Sequence, residues 1–434
     1  LLHIKTTRFH KINIGSQIIL KSQKKGLLII YTIRYMKAII VGSGAGGATV
    51  AKELSGKGID VTLIEKGPKI AEKEALKCYA NVGSEVTILR TLCLGGTTTV
   101  SAGNGVRALE KALSGLGIDL RDEFEDAEKE LRVKPLPDSH FGEATKLIMA
   151  AAAKLGFVVK KMPKFIDPAK CKMCSKCASG CPNGAKWSAT EFVTEAEKNG
   201  AQIITDMPVE DILVKNGKVA GVRCGSKIFS ADIVVLSAGA LETPHLLKKL
   251  GLPTTPSMFV DTFTTIGAVL DGIRLNKEIV MNAVIEYNDF VLYPHFSNHL
   301  TRRMEECGLK VSPDDVLGIM VKIKDEAVGE VNENVEKGIT NRDAVLLSEG
   351  TSIAGAILAD AGADPSTFVA TPLRGAHPGG TARIGDAVDK KLATEVNGLY
   401  VADASVLPAT PGAPPILTIV ALAKYVSKII LGRN

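Results

Sequence analysis

The sequence predicts an α/β chain, α+β overall, in which a Rossmann-like domain joins a second domain built on a mainly antiparallel sheet. Three observations predict it. Lys37 to Val41 is an apolar run of strand length, it leads into Gly42-Ser43-Gly44-Ala45-Gly46-Gly47, and a helical stretch follows to about Ser55. A second apolar run, Asp60 to Ile64, ends at Glu65. Far downstream, Lys277 to Tyr287 and Asp315 to Lys324 are patterned as strands, and Thr340 followed by Asp343 marks a capped helix running to about Ala361.

The first unit is a G-x-G-x-x-G fingerprint in its strand–turn–helix context. Gly42 permits the tight turn, Gly44 lets the backbone approach a pyrophosphate, and Gly47 lets helix and strand pack closely. The helix that follows offers free N–H groups and a positive dipole end to phosphate. Glu65, 23 residues after Gly42, is placed to accept hydrogen bonds from a ribose. The pattern is that of an FAD/NAD(P)-binding domain. Both cofactors carry this ribose, so the turn does not choose between them.

Charge narrows the partners. The 434 residues carry a formal net charge of +6. Residues 1–35 hold seven Lys or Arg and no Asp or Glu, which leaves 46 basic and 47 acidic side chains for the rest, a net of −1. A balanced body gives no footprint for nucleic acid. No run of 18 apolar residues exists, so no spanning helix is predicted. The leader's longest apolar run, Gly26 to Ile33, is short, ends at Arg34 and lacks a following cleavage site, a poor fit to a secretory signal. Met36 stands immediately before the first strand. Residues 1–35 therefore read as upstream translation or a disordered extension, with a basic anchor as the alternative. A cytoplasmic protein with reduced thiols is the expectation.

Three further segments choose the cofactor. The first is Leu94-Gly95-Gly96-Thr97-Thr98-Thr99-Val100-Ser101-Ala102-Gly103-Asn104. The second is Ala231 to Ala240, followed by Glu242-Thr243-Pro244. The third runs from His377-Pro378-Gly379-Gly380-Thr381 through Val401-Ala402-Asp403-Ala404-Ser405 to Leu417-Thr418-Ile419. In this order they resemble the glucose–methanol–choline (GMC) oxidoreductases, which use FAD. The resemblance covers nearly all of residues 36–434 apart from about 254–370.

That resemblance implies roles. Gly95, Gly96 and Thr97 lie along the flavin and pyrophosphate, and Val209, on a strand after Thr205, meets the adenine. Asp403 bonds the phosphate–ribityl side. A helix from about Ile416 to Leu431 aims its N-terminus at the flavin, where its dipole stabilises negative charge. His377 is the catalytic base, since alcohol oxidation removes a hydroxyl proton while hydride leaves the carbon. Two departures stand out. Gly412-Ala413-Pro414-Pro415 occupies a segment where many members carry Asn or His, so the second catalytic partner is missing there. Ser101 stands where many have Asn, a change that Asn104 compensates in this reading. Of the other histidines, His295 and His299 have the i, i+4 spacing of helical metal ligands, but no third ligand accompanies them, so surface or core of the substrate domain is the expectation.

Eight cysteines are present, and Cys171, Cys174, Cys177 and Cys181-Pro182 spell C-x-x-C-x-x-C-x-x-x-C-P. That is the bacterial ferredoxin run. With a single run, either Cys181 closes a [4Fe–4S] site, or Cys78 or Cys93 does, or three ligands hold a [3Fe–4S] centre. Zinc and free structural thiols are the alternatives. A cluster would accept single electrons from reduced flavin.

The expected organisation is a discontinuous FAD-binding domain (36–135, 190–255 and 370–434), a cysteine-motif insertion (136–189) and a substrate domain (256–369). The expected activity is oxidation of a small alcohol, with electrons passing through the iron–sulfur cluster to an external acceptor protein. An electron-transfer flavoprotein without a small substrate, and a non-redox lyase, are the alternatives.

Overall fold

The computed structural model describes residues 36–83 and 85–432. Of the leader it gives only the backbone of three antiparallel strands, His10–Ile14, Gln17–Lys24 and Leu27–Arg34. The readings of residues 1–35 as upstream translation, extension or anchor lie outside the described residues.

The parallel sheet runs Gln202–Ile204, Asp60–Ile64, Lys37–Val41, Ile233–Leu236, Leu399–Val401. Strand order grows outward in both directions from Lys37–Val41. The reversal falls between that strand and Ile233–Leu236, which places a ligand crevice at their carboxyl ends. Ile233–Leu236 is buried at every position, as a parallel strand covered on both faces must be. Helix Ala45–Ser55 packs against both Ala189–Lys198 and Ile416–Ile430.

The turn at the crevice tolerates no side chains on its inner side. Gly42 has φ 96°, and a Cβ there would sit 2.3 Å from the Ser237 carbonyl oxygen. A Cβ on Gly47 would sit 1.9 Å from the Gly42 oxygen, and one on Gly46 1.7 Å from the Ala402 oxygen. Backbone faces backbone in each case, so nothing flexible can give way. Gly46→Ala should therefore cost about 2 kcal/mol or more, at the upper end of overpacking effects. A thermal melt that matches the unsubstituted protein would refute this close approach.

The second sheet is mainly antiparallel. Its main path runs Thr87–Ile88, Arg374–Gly375, Thr262–Val269, Val316–Ile323, Phe290–Pro294, Ala283–Glu286, Val158–Lys161, and Asp364–Ala370 also pairs with Thr262–Val269. Helices Asn341–Asp360 and Glu143–Lys154 cover one face. Successive side chains on a strand face opposite ways. In Val316–Ile323, Leu317, Ile319, Val321 and Ile323 enter the core under the helices. Met320 and Lys322 face the other side, toward a cavity. Strand Val158–Lys161, which precedes the cysteines, pairs with Ala283–Glu286 in this sheet.

Two strand expectations resolve differently. Asp315 to Lys324 is seen as Val316–Ile323, but Lys277 to Tyr287 is a strand only at Ala283–Glu286. The reason is local. Leu275–Lys277 forms a 3₁₀ turn, Met281 has φ 54°, and the Glu278 carboxylate leaves the ladder to cap helix Glu143–Lys154. It accepts from Ala144 N at 2.8 Å, Thr145 N at 3.0 Å and Thr145 Oγ1 at 2.6 Å. The expected cap at Thr340 is present as a reciprocal pair: Asp343 N donates to Thr340 Oγ1, and Thr340 N to Asp343 Oδ2, both at 3.1 Å.

Candidate active site

The crevice opens into a cavity of about 460 Å³ between the two sheets. Gly42, Gly44, Glu65, Gly96, Thr97, Asn104, Val209, His377 and Asp403 all lie on its wall. Residues distant in sequence are thus brought together as the motifs imply. Gly47 and Gly95 stand one layer behind and let the lining segments pack.

At one end the site is built for a dinucleotide. A Cβ on Gly44 would meet nothing within 4 Å, so this glycine faces open cavity. Helix Ala45–Ser55 begins there without a side-chain cap, leaving its first N–H groups for a ligand. Glu65 is buried, which pushes its carboxyl pKa up against the opposing pull of its hydrogen bonds. Its Oε2 accepts from Ser43 N at 3.0 Å and Ser43 Oγ at 2.6 Å, and its Oε1 from Gly67 N at 2.8 Å. Ser43 Oγ in turn accepts from Gly95 N at 2.9 Å. Ser43, the variable position of the fingerprint, thus ties the ribose acid to the second glycine segment. Ser43→Ala should weaken FAD binding about tenfold, the loss of one hydrogen bond to a charged group. Titration of flavin into the apoprotein measures it, and unchanged affinity would remove Ser43 from this role.

His295, after strand Phe290–Pro294, is buried and shares no helix with His299, which is inside Asn298–Glu306, so the metal alternative has no support. Two expectations need correction. Val209 lies not on a strand but in the loop between Gln202–Ile204 and Asp211–Lys215, because the chain leaves the sheet edge to reach the cavity. Asn104 does not simply present its amide to the cavity. Its Oδ1 accepts from Lys164 Nζ at 2.6 Å, and its Nδ2 points at Met281 Sδ at 3.7 Å. Asp403 is likewise committed to protein donors. Oδ2 accepts from Gly239 N at 2.8 Å and Thr243 Oγ1 at 2.6 Å, and Oδ1 from Ser405 N at 2.8 Å. It locks two cavity segments together. Helix Ile416–Ile430 starts at Pro415 with no side-chain cap, and Ile416 and Ile419 lie on the wall, so its N-terminal end does face the cavity.

At the other end sits a charged cluster. His377 has 15% of its side chain exposed, and its Nδ1 lies 2.8 Å from Oδ2 of Asp261, a carboxylate with no exposure. Asp261 precedes strand Thr262–Val269 with φ 52°, the strained region that clusters at functional sites. Its Oδ1 accepts from Gly412 N at 2.9 Å. Lys322 Nζ lies 3.3 Å from the same His377 Nδ1. Burial drives every group toward its neutral form. Asp261 is pushed up to about 7, against the pull of Lys322 and the Gly412 N–H. His377 is held well below its ordinary value by burial and then by the Lys322 charge. Nδ1 is claimed by Asp261, so Nε2 is the ring nitrogen available to a substrate. The Pro414 position offers no polar side chain, and Lys322 and His295 bring polar atoms to this end of the cavity instead. Sequence reasoning missed Asp261 and Lys322. Lys322 had a signal, a lone charge inside the apolar strand Val316–Ile323.

The four motif cysteines line one small separate cavity with Lys186 and Asn183. Among the described residues no group of three or more His, Cys, Asp or Glu is drawn together tightly enough for a single metal ion. Cys78 and Cys93 are not on that cavity's wall.

A parallel sheet that presents a glycine turn to a cavity, closed by a second sheet bearing a His–Asp pair, is the architecture of a dinucleotide-dependent oxidoreductase. Sequence models of the GMC oxidoreductase family match residues 36–271 and 327–423, and the chain belongs to this family of FAD-dependent oxidoreductases. An uncharacterized protein of Methanocaldococcus jannaschii is 36% identical over 90% of this chain and 99% of its own. A GMC-type oxidoreductase of Mycobacterium tuberculosis is 29% identical over 90% of this chain and 75% of its own. A long-chain-alcohol oxidase of Arabidopsis thaliana is 22% identical over 90% of this chain and 67% of its own. Pyridoxine 4-oxidase from Mesorbium loti shares the fold, with a TM-score of 0.69 at 16% identity over 92% of this chain and 100% of that one. Among the described residues no helix is long and apolar enough to cross a membrane.

Proposed function

We propose that the protein is an FAD-dependent dehydrogenase of an alcohol carbon, with His377 as its base. The observation that carries this is the 2.8 Å contact from His377 Nδ1 to buried Asp261, on the wall of the cavity that also presents the uncapped helix and Gly44. Gly44, Gly96 and Thr97 would lie against the pyrophosphate, Glu65 against the ribose and Val209 beside the adenine. Bound FAD supplies the acceptor for the hydride that leaves the carbinol carbon. With Asp261 ionised, Nδ1 keeps its hydrogen and Nε2 presents a lone pair. The hydroxyl proton of the substrate moves to that Nε2. The imidazolium so formed is stabilised by the Asp261 carboxylate. Lys322 opposes it, and so keeps the resting imidazole neutral and competent as a base. Phe263, Met281 and Met320 add apolar faces to the cavity wall beside these polar groups.

The cysteine run is read as the ligand set of an iron–sulfur cluster that carries single electrons to an external acceptor. What supports this reading is the contiguous C-x-x-C-x-x-C-x-x-x-C-P run, whose four cysteines line one cavity. Anaerobic mixing with a panel of alcohols and polyols tests the reaction. Bleaching of the bound flavin by at least one of them is expected. No bleaching by any, in flavin-loaded protein, would turn the reading toward electron transfer between proteins. Product formation without bleaching would turn it toward a lyase.

A further inference from the structure

Two lysines lie between the cysteine segment and the flavin cavity, and neither is on the surface. Lys164 is 0% exposed and Lys186 2%. Lysine is almost never buried this deeply unless it is paired. Lys337 and Lys424 follow that rule, and buried Lys322 stands beside His377 in the field of Asp261 and Asp325. Lys337 pairs with Asp325 at 3.1 Å, and Lys424 with Glu53 at 2.9 Å and Glu130 at 3.0 Å. Lys164 does not. Its Nζ donates to Val280 O at 2.7 Å, Asn104 Oδ1 at 2.6 Å and Ala102 O at 3.0 Å, all of them neutral oxygens. Lys186 donates to Thr98 O at 2.7 Å and Thr99 O at 3.0 Å, and a single carboxylate, Glu72, stands 3.4 Å away.

Lys186 lines the small cavity together with the four cysteines. Cys177 and Cys171 are close enough to Lys164 for a thiolate there to favour its charged form, and Glu72, Cys177 and Cys181 act in the same direction on Lys186. As thiols the cysteines carry no charge, and among the described residues Lys164 has no carboxylate partner. As thiolates bound to iron they would supply a countercharge. The thiol loop already has other features that such a site needs. Ala185 N donates to Cys181 Sγ at 3.4 Å, and Met173 and Ser175 adopt φ of 49° and 58°, winding the backbone around the small cavity. Two acceptors of Lys164, Ala102 O and Asn104 Oδ1, and two of Lys186, Thr98 O and Thr99 O, belong to the segment Thr98–Asn104, several of whose residues line the flavin cavity. Ala178, next to Cys177, lines that cavity as well, and its carbonyl accepts from Tyr79 at 2.9 Å.

We propose that Lys164 and Lys186 are the buried countercharges of an anionic cluster held by Cys171, Cys174, Cys177 and Cys181, and that they fix it against the wall of the flavin cavity. This rests on the iron–sulfur reading of the cysteine run. A fixed positive charge in a low-dielectric interior favours the more negative, reduced state of its neighbour. Removing that charge must therefore make the cluster harder to reduce.

The test is an EPR-monitored redox titration of full-length protein reconstituted anaerobically with iron and sulfide. Iron and acid-labile sulfide are assayed on the same samples. In Lys164→Met and in Lys186→Met, the oxidised-to-reduced ratio at the unsubstituted protein's midpoint should rise at least tenfold, a fall of about 59 mV for one electron. Lys164→Arg, which keeps the charge, should restore the midpoint. Lys172→Met, which removes an exposed charge beside Cys171, should move it far less because water screens it. If the unsubstituted protein binds no iron and sulfide, the cluster reading falls and this inference with it. If it binds them and both methionine variants titrate at the unsubstituted midpoint, the cluster stands and the lysine assignment is overturned. Should the Lys164 variant not fold, the Lys186 variant decides the matter alone.

Discussion

Replacing His377 by alanine should leave FAD bound and slow its reduction by substrate about 10²–10⁴-fold, the usual contribution of a positioned base. The two halves of that expectation come from different parts of the fold. In the proposed reading flavin retention would rest on the turn at Gly42, on Glu65 and on Asp403, all on the parallel sheet or its loops. His377 sits beyond strand Arg374–Gly375, which belongs to the second sheet. Its backbone N–H bonds Val260 O at 3.1 Å, a contact that alanine keeps. The loss should thus appear in the limiting rate of anaerobic flavin reduction in stopped flow, with the flavin spectrum of the resting enzyme unchanged. Retention of the full rate would remove His377 as the base. Loss of flavin would mean that the side chain holds the cofactor instead.

The dinucleotide half of the molecule was legible because its constraints are local. Only glycine fits where the Gly42 and Gly46 turn meets the Ser237 and Ala402 carbonyls, and that necessity writes itself into a short contiguous motif. The proposed catalytic cluster was half legible. His377 is carried by a motif, but Asp261, just before strand Thr262–Val269, and Lys322, within Val316–Ile323, meet it from 116 and 55 residues away. Spacing carries no trace of such a meeting, and only the alternation of Val316–Ile323 marked Lys322 as facing the same side as Met320. Pro414 has no polar side chain, as its sequence position implied, and the backbone of its own segment reaches the cluster through Gly412 N. The strand expected over Lys277 to Tyr287 failed because Glu278 serves a helix that lies 133 and 134 residues away in the chain.

The Gly412 contact makes Asp261→Asn the most informative substitution at this site. The native carboxylate spends Oδ1 on the Gly412 N–H and Oδ2 on His377 Nδ1. Asparagine has one oxygen. With that oxygen kept on Gly412, the amide NH₂ faces Nδ1 and donates to it. The imidazole must then carry its hydrogen on Nε2, the atom that has to take the substrate's proton. The expected result is a fall in flavin reduction of about 10²–10⁴-fold with flavin binding and fold intact, comparable to removing the base itself. The pH dependence follows from the same geometry. Burial raises Asp261 to about 7. Below that pH the carboxyl keeps its proton, donates it to Nδ1 and sends the ring hydrogen to Nε2. Above it the carboxylate accepts from Nδ1 and frees Nε2. The native reduction rate should therefore rise with pH through about 7, an apparent value that belongs to the Asp261–His377 pair. In Asp261→Asn there is no carboxyl left there to titrate, so the rise centred near 7 should disappear, and any remaining slope should lie higher, where burial brings Lys322 to about 8. A variant that keeps the native rise would show that another group sets the state of the base.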